Sequence, residues 1–375
     1  LPNIGGVEVG LHNVALNLIR KKYKPIIFTS WKHKYQLKKN NIMLPYKVIP
    51  FPPRFFFLLE KFPELFLNFS HLILSYWKKK YDIYFWHGTF CYPIGVILGF
   101  HYERSNKHFL IRAVGEDIQV HPQIKYGLRL NPLIDNLVRK YIPKCPHLIA
   151  TTNTMKKEFV KLGVNVNKIS RIPNGIDLKR LKNHKSIINL REKLGIKKDK
   201  FIFLSVGRFH EKKNFSSIIK AAMLLKNFGF NNFKCLIVGS EIFKLKNEII
   251  TYKAEKYVEL FQPENLNITS NNFLNLPSNQ LLDYYSIADC FIMPSLIESF
   301  GIVTIEAMAF GLPVIISNAP GNIDIVRNGQ DGLLYDHDNK GLKLALAMKE
   351  IIINKKLFLH FKKKSVERVK KFDWQ

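Results

Sequence analysis

Two glutamates lie near each other where a buried strand is predicted to turn into a helix. The segment reads Pro294-Ser-Leu-Ile-Glu-Ser-Phe-Gly-Ile-Val-Thr-Ile-Glu, with Glu298 in the turn and Glu306 on the helix. Free backbone N–H groups at a helix start attract phosphate or sugar oxygens, and Gly301 lets such a ligand approach the backbone closely. A carboxylate on the helix can accept hydrogen bonds from a ribose diol, and one in the turn can hold sugar hydroxyls. The structural alternative is an acidic first turn that only stabilises the helix dipole.

Two cations follow another predicted strand. The strand predicted over residues 201–208 ends in Gly-Arg, and Arg208 and Lys213 stand five residues apart. Because both follow a strand end, both can point to the same edge of a sheet, where a pair of cations suits a diphosphate. The alternative is a solvated basic loop, since lysine is abundant in this chain and Lys212 adjoins Lys213.

Adjacent glycines precede a helix predicted over residues 7–20. Gly5 and Gly6 carry no side chains, so their backbone amides can approach an anion closely. A pair of glycines is a weak signal by itself, and an ordinary turn is its usual explanation.

The composition narrows the class of protein. A chain of 375 residues is long enough for two ordinary domains, and 47% hydrophobic residues exclude a disordered or collagen-like chain. Lys and Arg number 58 against 29 Asp and Glu, a formal net charge of +29 that favours nucleic acid, anionic lipid or phosphorylated small molecules as partners. Compositional drift explains the excess of basic residues equally well.

Four dispersed cysteines without a CxxC pair indicate neither a zinc site nor a disulfide framework, and they fit a reducing cytosol.

Strand and helix patterns alternate along the chain in two blocks. In the first block, residues 25–30 are predicted as a strand, and 147–163 as a strand, a Thr/Asn cap and a helix. A break over 172–200 precedes a second block that begins with the strand at 201–208. Repeated strand–helix units predict an α/β protein of two doubly wound parallel sheets, with the cleft between two domains as the default ligand site.

The chain as a whole resembles glycosyltransferase family 4. Its signature is the pair Glu298 and Glu306 with Ser-Phe-Gly between them and Ala-Met-Ala-Phe-Gly-Leu-Pro-Val-Ile after them. The resemblance implies a retaining, nucleotide-sugar-dependent transferase of the GT-B fold, with two doubly wound, Rossmann-like domains and an interdomain cleft. Other elements of the family occur in the expected order: Gly5-Gly-Val-Glu8, Ile172-Pro-Asn-Gly-Ile-Asp177, Val206-Gly-Arg-Phe-His-Glu-Lys-Lys-Asn214, Gly321-Asn322, and Asn328-Gly329 with Asp331-Gly-Leu-Leu334.

The resemblance also implies a role for each of these residues. Glu306 holds the ribose, Arg208 and Lys213 balance the diphosphate, and Glu298 orients the sugar together with backbone amides. Electrostatic stabilisation of the leaving diphosphate is then the main catalytic effect. Catalysis is thus assigned to Glu298, Arg208 and Lys213, and donor binding to Gly5, Gly6, Leu276, Ser299, Phe300, Gly301, Ile302 and Glu306.

No metal or other cofactor is implied beyond the nucleotide sugar as co-substrate. Asp336-His337-Asp338 matches the Asp-x-Asp motif that metal-dependent transferases use. It follows the last core strand in a polar turn, so a solvated loop is the expected structure.

One segment departs from the family pattern. The stretch from Arg112 to Gln119 resembles a family segment that often reads His-Gly-x-Asp, but Val114 stands at the position of the histidine. Either another group makes the sugar contact or the chain works weakly. His87, His121 and Asp117 are the candidates on the acceptor side, although a lone histidine is more often structural and Asp117 can cap the next helix.

Aromatic side chains stand beside cations in residues 20–39 and 54–80. This composition suits an anionic bilayer surface, whereas exposed lysine over an ordinary core is the structural alternative. Since the family's first domain usually binds the acceptor, we expect the acceptor to be a glycan or lipid-linked glycan from cell-surface polysaccharide synthesis.

Nucleic acid is the least favoured polyanion, because no RNP motif, zinc spacing or helix-turn-helix pattern accompanies the charge. A basic membrane- or nucleic-acid-binding protein without transferase activity, and an epimerase or phosphorylase on the same fold, remain the alternatives.

These patterns predict a division of the chain. We expect an acceptor-side domain over residues 1–175, a nucleotide-sugar domain over 176–360, and over 361–375 the start of a C-terminal helix that returns toward the first domain. The chain opens in a loop at Leu1 and stops at Gln375 without a helix stop signal, so we expect residues, including a first strand, to be missing at the ends. Without a signal-peptide pattern or about 20 consecutive apolar residues, a cytoplasmic protein is expected, peripheral on the inner face of the cell membrane.

Overall fold

The first part of the chain forms its strands from short apolar runs and its helices from the amphipathic segments between them. The computed structural model describes residues 6–51, 56–106, 108–186, 189–262 and 277–374. Those up to Pro173 form one compact unit, and those from Asn174 onwards form a second. The helices of the first unit are α1 Gly6–Arg20, α2 Trp31–Lys39, α3 Phe56–Lys61, α4 Pro63–Tyr81, α5 Val96–Ser105, α6 Pro132–Tyr141 and α7 Asn153–Lys161. Its strands are β1 Ile26–Ser30, β2 Lys47–Phe51, β3 Trp86–Thr89, β4 Phe109–Arg112, β5 His147–Ala150 and β6 Ile169–Arg171.

Both sheets of the first unit are parallel. Strands β1 and β2 pair with each other, and β3, β4, β5 and β6 form a four-stranded sheet in that order. The Thr/Asn cap predicted between β5 and α7 is present. The Thr152 hydroxyl accepts a hydrogen bond from the backbone N–H of Met155 and caps the helix. This cap sets the start of α7 directly behind the carboxyl end of its strand.

The second unit follows the same alternation. Its helices are α8 Leu178–Lys182, α9 Leu190–Lys193, α10 Ser216–Asn227, α11 Lys246–Thr251, α12 Asn279–Ile287, α13 Ile302–Ala309, α14 Leu342–Ile353 and α15 Lys355–Val369. Its strands are β7 Phe201–Val206, β8 Phe233–Val238, β9 Val258–Phe261, β10 Cys290–Met293, β11 Val314–Ser317 and β12 Leu333–Tyr335.

The six strands of this unit form one parallel sheet in the order β12-β11-β10-β7-β8-β9. The chain starts at the centre with β7, runs outward through β8 and β9, and returns to β10 on the other side of β7. This is the doubly wound order, in which ligands bind beyond the carboxyl ends of the two central strands. The four inner strands β11, β10, β7 and β8 are almost entirely buried on both faces, which explains their continuous apolar sequences. The prediction of two α/β domains with parallel sheets is confirmed, although the first unit divides its strands between a two-stranded and a four-stranded sheet.

The end of the chain is tied to the residues that open the second unit. The backbone N–H of Ile176 donates to the carbonyl of Phe372 (2.9 Å), and that of Trp374 donates to the carbonyl of Ile176 (3.0 Å). Gly175 permits this approach, because a Cβ there would lie 2.9 Å from the Phe372 carbonyl oxygen. The terminal helix α15 starts at Lys355, before the residue 361 expected from the sequence, and it belongs to the second unit.

Within the described ranges, no helix is both long enough and apolar enough to cross a bilayer.

Candidate active site

The predicted donor-site residues come from two loops that leave neighbouring strands. One loop follows β7 and begins with Gly207 and Arg208, and the other follows β10 and runs from Pro294 to Gly301. Because β7 and β10 are parallel and paired, both loops emerge at the same edge of the sheet. This is the point where the winding of the sheet reverses, the usual ligand position in such folds.

A salt bridge joins the two loops. The Lys213 ammonium lies 2.6 Å from a carboxylate oxygen of Glu298, and both side chains are largely buried. A backbone hydrogen bond from Leu296 N–H to the carbonyl of Lys212 (2.8 Å) holds the loops together beside it. Of the two adjacent lysines, Lys213 forms the salt bridge with Glu298, and the backbone carbonyl of Lys212 accepts the hydrogen bond from Leu296.

The Glu298 carboxylate stays ionised. Burial by itself would raise its pKa, but the charges of Lys213 and Lys212 and the hydrogen bonds from Lys213 and the backbone N–H of Ser299 outweigh burial and lower the pKa to about 2. A carboxylate held in this way can accept hydrogen bonds from hydroxyl groups without exchanging protons at neutral pH.

Arg208 lies at the same edge but remains exposed. It is close enough to Glu241 that its charge helps to lower the pKa of that carboxyl, after the larger effects of Lys244. Lys213, fixed by its salt bridge, and the exposed Arg208 are thus both cations of this edge.

Helix α13 starts at this edge with a glycine. Gly301 occupies the cap position in the left-handed region (φ 68°), and no side chain caps the first turn. The backbone N–H groups of Ile302 and its neighbour therefore face the edge where the two loops meet, as an anion site requires. The Phe300 side chain is buried and packs edge-on against Phe372 (ring centroids 5.7 Å), which anchors the loop from behind.

Glu306 sits one turn into α13 and is buried. The Tyr285 hydroxyl donates to its carboxylate (2.8 Å). Burial raises the pKa of Glu306 to about 7, and the hydrogen bond from Tyr285 and the charge of Arg180 oppose this rise only in part. The two glutamates of the motif therefore differ, because Glu298 is ionised throughout the physiological range and Glu306 titrates near neutrality.

The raised pKa of Glu306 predicts a pH-dependent stability. The unfolded carboxyl loses its proton near its ordinary pKa of 4.5 and the folded one only near 7, so ionisation destabilises the fold as the pH rises between these values. Glu306→Gln removes this effect. Relative to the wild type, we expect the variant to gain up to about 3 kcal/mol in free energy of unfolding between pH 5 and pH 8. Urea unfolding at both pH values measures the gain, and a difference independent of pH would contradict the assignment.

Two glycines that the donor-site prediction omits support the site loops from neighbouring strand ends. A Cβ on Gly239, after β8, would lie 1.9 Å from the carbonyl oxygen of Gly207, and one on Gly321, after β11, would lie 1.8 Å from that of Glu298. Each loop thus rests directly on a glycine backbone. The signal for Gly239 in the sequence is a glycine immediately after an apolar strand, a position where close backbone approach is common.

Asp117 in the first unit holds a loop together. Its buried carboxylate accepts hydrogen bonds from the backbone N–H groups of Cys91 (2.5 Å), Val114 (3.0 Å) and Gly115 (2.7 Å). These bonds lower its pKa, but burial outweighs them and raises the pKa above its ordinary value. This geometry gives Asp117 a structural task at the segment where Val114 replaces the family's histidine.

The other predicted residues of the first part of the chain belong to the first unit. His87 is half-buried on β3, where burial and the charge of Arg112 lower its pKa to about 4, so the ring is neutral. His121 exchanges two backbone hydrogen bonds with Tyr126 and forms a small turn. Gly6 is the exposed first residue of α1. Gly5 and Leu276 lie outside the described residues.

The Asp336-His337-Asp338 segment serves the local structure. Asp338 accepts hydrogen bonds from the backbone N–H groups of Lys340, Leu342 and Lys343 at the start of α14. Asp336 accepts from the Asn318 amide. In the part of the chain that the structure describes, no group of three or more His, Cys, Asp or Glu side chains is arranged to hold a metal ion.

Two sequence families match the chain, one to each part. Residues 4–180 match Glycosyltransferase Family 4, and residues 186–368 match Glycosyl transferases group 1. The chain belongs to glycosyltransferase family 4. The Glu298–Glu306 motif and the Arg208–Lys213 turn both fall within the second matched range.

Among curated proteins, this family member is similar to two bacterial transferases. It is 33% identical over 200 residues to the UDP-Gal:alpha-D-GlcNAc-diphosphoundecaprenol alpha-1,3-galactosyltransferase of Escherichia coli, covering 52% of this chain and 49% of that protein. It is 24% identical over 357 residues to the alpha-monoglucosyldiacylglycerol synthase of Acholeplasma laidlawii, covering 92% and 84%. The match thus spans about half the length of the first relative and most of the second.

A solved structure shows the same fold. Anabaena Alr3699/HepE in complex with UDP and glucose matches with a TM-score of 0.71 at 18% identity, over 99% of this chain and 93% of that one. The family-4 chain therefore has the GT-B fold that the sequence predicted.

Proposed function

We propose that this chain transfers a hexose from a UDP-sugar to an acceptor hydroxyl with retention of the anomeric configuration. The observation that carries the proposal is the buried salt bridge between Lys213 and Glu298, placed where the winding of the sheet reverses and beside the glycine start of α13. The uridine nucleotide is inferred from the UDP-Gal in the name of the Escherichia coli relative and the UDP bound by the Anabaena protein.

Each group at this edge has a task in donor binding. The diphosphate lies against the N–H groups at the start of α13 and the cations of Arg208 and Lys213. The Glu306 carboxylate, one turn further along the helix, accepts hydrogen bonds from the ribose diol in its ionised form. Glu298, fixed by Lys213, accepts hydrogen bonds from the sugar hydroxyls.

The transfer step that we propose is a same-face substitution at C1. The bond between C1 of the sugar and the diphosphate oxygen breaks, and the acceptor oxygen forms a new bond to C1 on the same face. The leaving diphosphate oxygen takes the proton of the acceptor hydroxyl. Lys213, Arg208 and the helix start stabilise the charge that develops on the leaving group, which is the main contribution of the protein to the rate.

The acceptor that we propose is a glycan or a lipid-linked glycan bound by the first unit. Both curated relatives have names that include a lipid, an undecaprenol diphosphate in one and a diacylglycerol in the other. A net charge of +29 favours an anionic acceptor such as a sugar diphosphate lipid.

A thermal-shift series with UDP-, GDP- and ADP-sugars tests donor binding. A ligand at a hundred times its Kd stabilises the folded state by about 2.7 kcal/mol, and each kcal/mol raises the Tm of a domain of this size by about 2–4 °C. We expect this shift with UDP and UDP-hexoses in the wild type and no shift in Glu306→Ala. Absence of a shift with all three nucleotides would reject the proposal.

Product analysis separates transfer from the alternatives. Transfer consumes the UDP-sugar and releases UDP only with an acceptor or, slowly, with water. An epimerase changes the sugar without releasing UDP, and a phosphorylase requires phosphate. A polyanion-binding protein shows steeply salt-dependent binding and no response to nucleotide sugars.

A further inference from the structure

Helix α4 has a buried and an exposed apolar side. The first side carries Phe66, Leu67, Ser70 and Leu74, all buried. Phe66, Leu67 and Leu74 belong to the hydrophobic core of the first unit. This side accounts for the attachment of α4 to its unit, so the apolar residues on the other side need a different explanation.

The exposed side is a continuous apolar stripe. It consists of Phe62, Leu65, Phe69, Leu72 and Tyr76, each more than half exposed, with Leu65 at 70% and Leu72 at 66%. Phe62 is the residue directly before the helix. Within the helix, the spacing of four, three and four residues keeps Leu65, Phe69, Leu72 and Tyr76 within about 60° of the circumference and over about 17 Å of the length. Single exposed apolar residues are ordinary, but a contiguous row marks an interaction surface.

Cations stand at both ends of the stripe. Lys61 precedes the helix, and Lys79 and Lys80 lie in its last turn. All three side chains are exposed. The Lys80 ammonium lies 5.3 Å from the centroid of the Tyr76 ring, so the stripe finishes in an aromatic ring with a charge above it. Glu64 is the acidic residue of the helix. A row of apolar side chains flanked by cations is complementary to a partner that has an apolar interior and an anionic surface.

An anionic bilayer fits this pattern better than two other partners. If a second copy of the chain covered the stripe, parallel or antiparallel pairing would bring the terminal lysines of the two copies together. Nucleic acid would stack its bases on rings, but Leu65 and Leu72 offer none. In an anionic bilayer, the acyl chains can contact the leucines while the anionic headgroups above them pair with the lysines.

We propose that α4 docks the chain on anionic lipid, with the stripe Phe62–Leu65–Phe69–Leu72–Tyr76 lying in the headgroup–acyl boundary and Lys61, Lys79 and Lys80 among the headgroups. This surface lies in the first unit, and the proposed donor residues Arg208, Lys213, Glu298 and Glu306 lie in the second. Lipid docking is therefore measurable without sugar transfer, and its failure would leave the proposed function intact.

Vesicle co-sedimentation tests the proposal with phosphatidylcholine alone and with about 30 mol% phosphatidylglycerol. We expect the wild type to bind the anionic vesicles, and Leu65→Ser/Phe69→Ser/Leu72→Ser to bind at least about tenfold more weakly. Lys79→Gln/Lys80→Gln lowers binding severalfold at low salt and has little effect at high salt. The matched control is Val160→Ser/Val166→Ser, two similarly exposed apolar residues of the same unit, which binds like the wild type.

Two further measurements keep the outcome decisive. An unchanged UDP thermal shift and Tm show that the stripe variant is folded. In Phe69→Trp, fluorescence emission shifts to shorter wavelength with anionic vesicles if the stripe inserts. Equal vesicle binding by the wild type and the stripe variant, or no vesicle binding by the wild type, would overturn the proposal. Two other results would also overturn the proposal: a wild-type dimer that becomes monomeric in the stripe variant, or nucleic-acid binding by the wild type that is lost in the stripe variant.

Discussion

Lys213→Ala is expected to lower the rate of sugar transfer by at least about a hundredfold, because it removes a cation that we propose to stabilise the leaving diphosphate. The same change should destabilise the fold by about 3–5 kcal/mol, since Glu298 is then buried without its partner. Transfer assays with a UDP-hexose and urea unfolding measure the two effects separately. The exposed Lys226 of α10 supplies the control, and Lys226→Ala should change neither.

A second substitution separates the two roles of Lys213. Glu298→Gln in the Lys213→Ala background removes the uncompensated buried charge, so most of the lost stability should return. Activity should not return, because the diphosphate still lacks its cation and the sugar hydroxyls also lack the Glu298 carboxylate. If activity recovers together with stability, Lys213 acts only as a structural partner of Glu298, and its catalytic role is refuted.

Gly321→Ala is expected to reduce both activity and stability strongly. The added Cβ would lie 1.8 Å from the carbonyl oxygen of Glu298, so the backbone of the site loop must move. A displacement near 1 Å at a site of this kind costs about a hundredfold in rate. Activity assays and thermal unfolding of the purified variant give both values.

Gly163 offers a matched control for this change. Its φ of 87° is nearly the same as the 89° of Gly321, but a Cβ on Gly163 meets nothing within 4 Å. Gly163→Ala should therefore show only the backbone strain of a left-handed alanine, about 1–2 kcal/mol, and keep its activity. If the two variants lose the same stability and activity, the contact with Glu298 is irrelevant.

The family and the positions of the motif were accessible from the sequence because they depend on local order. The strand–turn–helix around Glu298 and Glu306 is built from neighbours in the chain, and so is the cap of α7 by Thr152. The choice between Lys212 and Lys213 rested on spacing within the family. Only the structure shows which ammonium lies against Glu298, because 85 residues of chain separate the two partners.

The contact made by Phe300 was likewise inaccessible from the sequence. The sequence assigns it to donor binding as part of Ser-Phe-Gly, whereas in the structure its side chain packs against Phe372 near the end of the chain. The buried side chain of Phe300 therefore anchors the loop. Gly239 was not predicted because its task comes from contact with Gly207, which lies on another strand end.

The sequence alone determined that this is a two-part parallel α/β chain of glycosyltransferase family 4, because hydrophobic periodicity and short motifs act between near neighbours. The tertiary structure decided what the motif residues contact. It paired Lys213 with Glu298, buried Glu306 beside Tyr285 so that its pKa rises to about 7, and placed Gly239 and Gly321 under the site loops. It also left the stripe on α4 exposed, which the sequence could not reveal because either apolar side of a helix can face the core. Burial, charge pairing and close backbone contact depend on distances between remote parts of the chain, and only the folded sheet order fixes those distances.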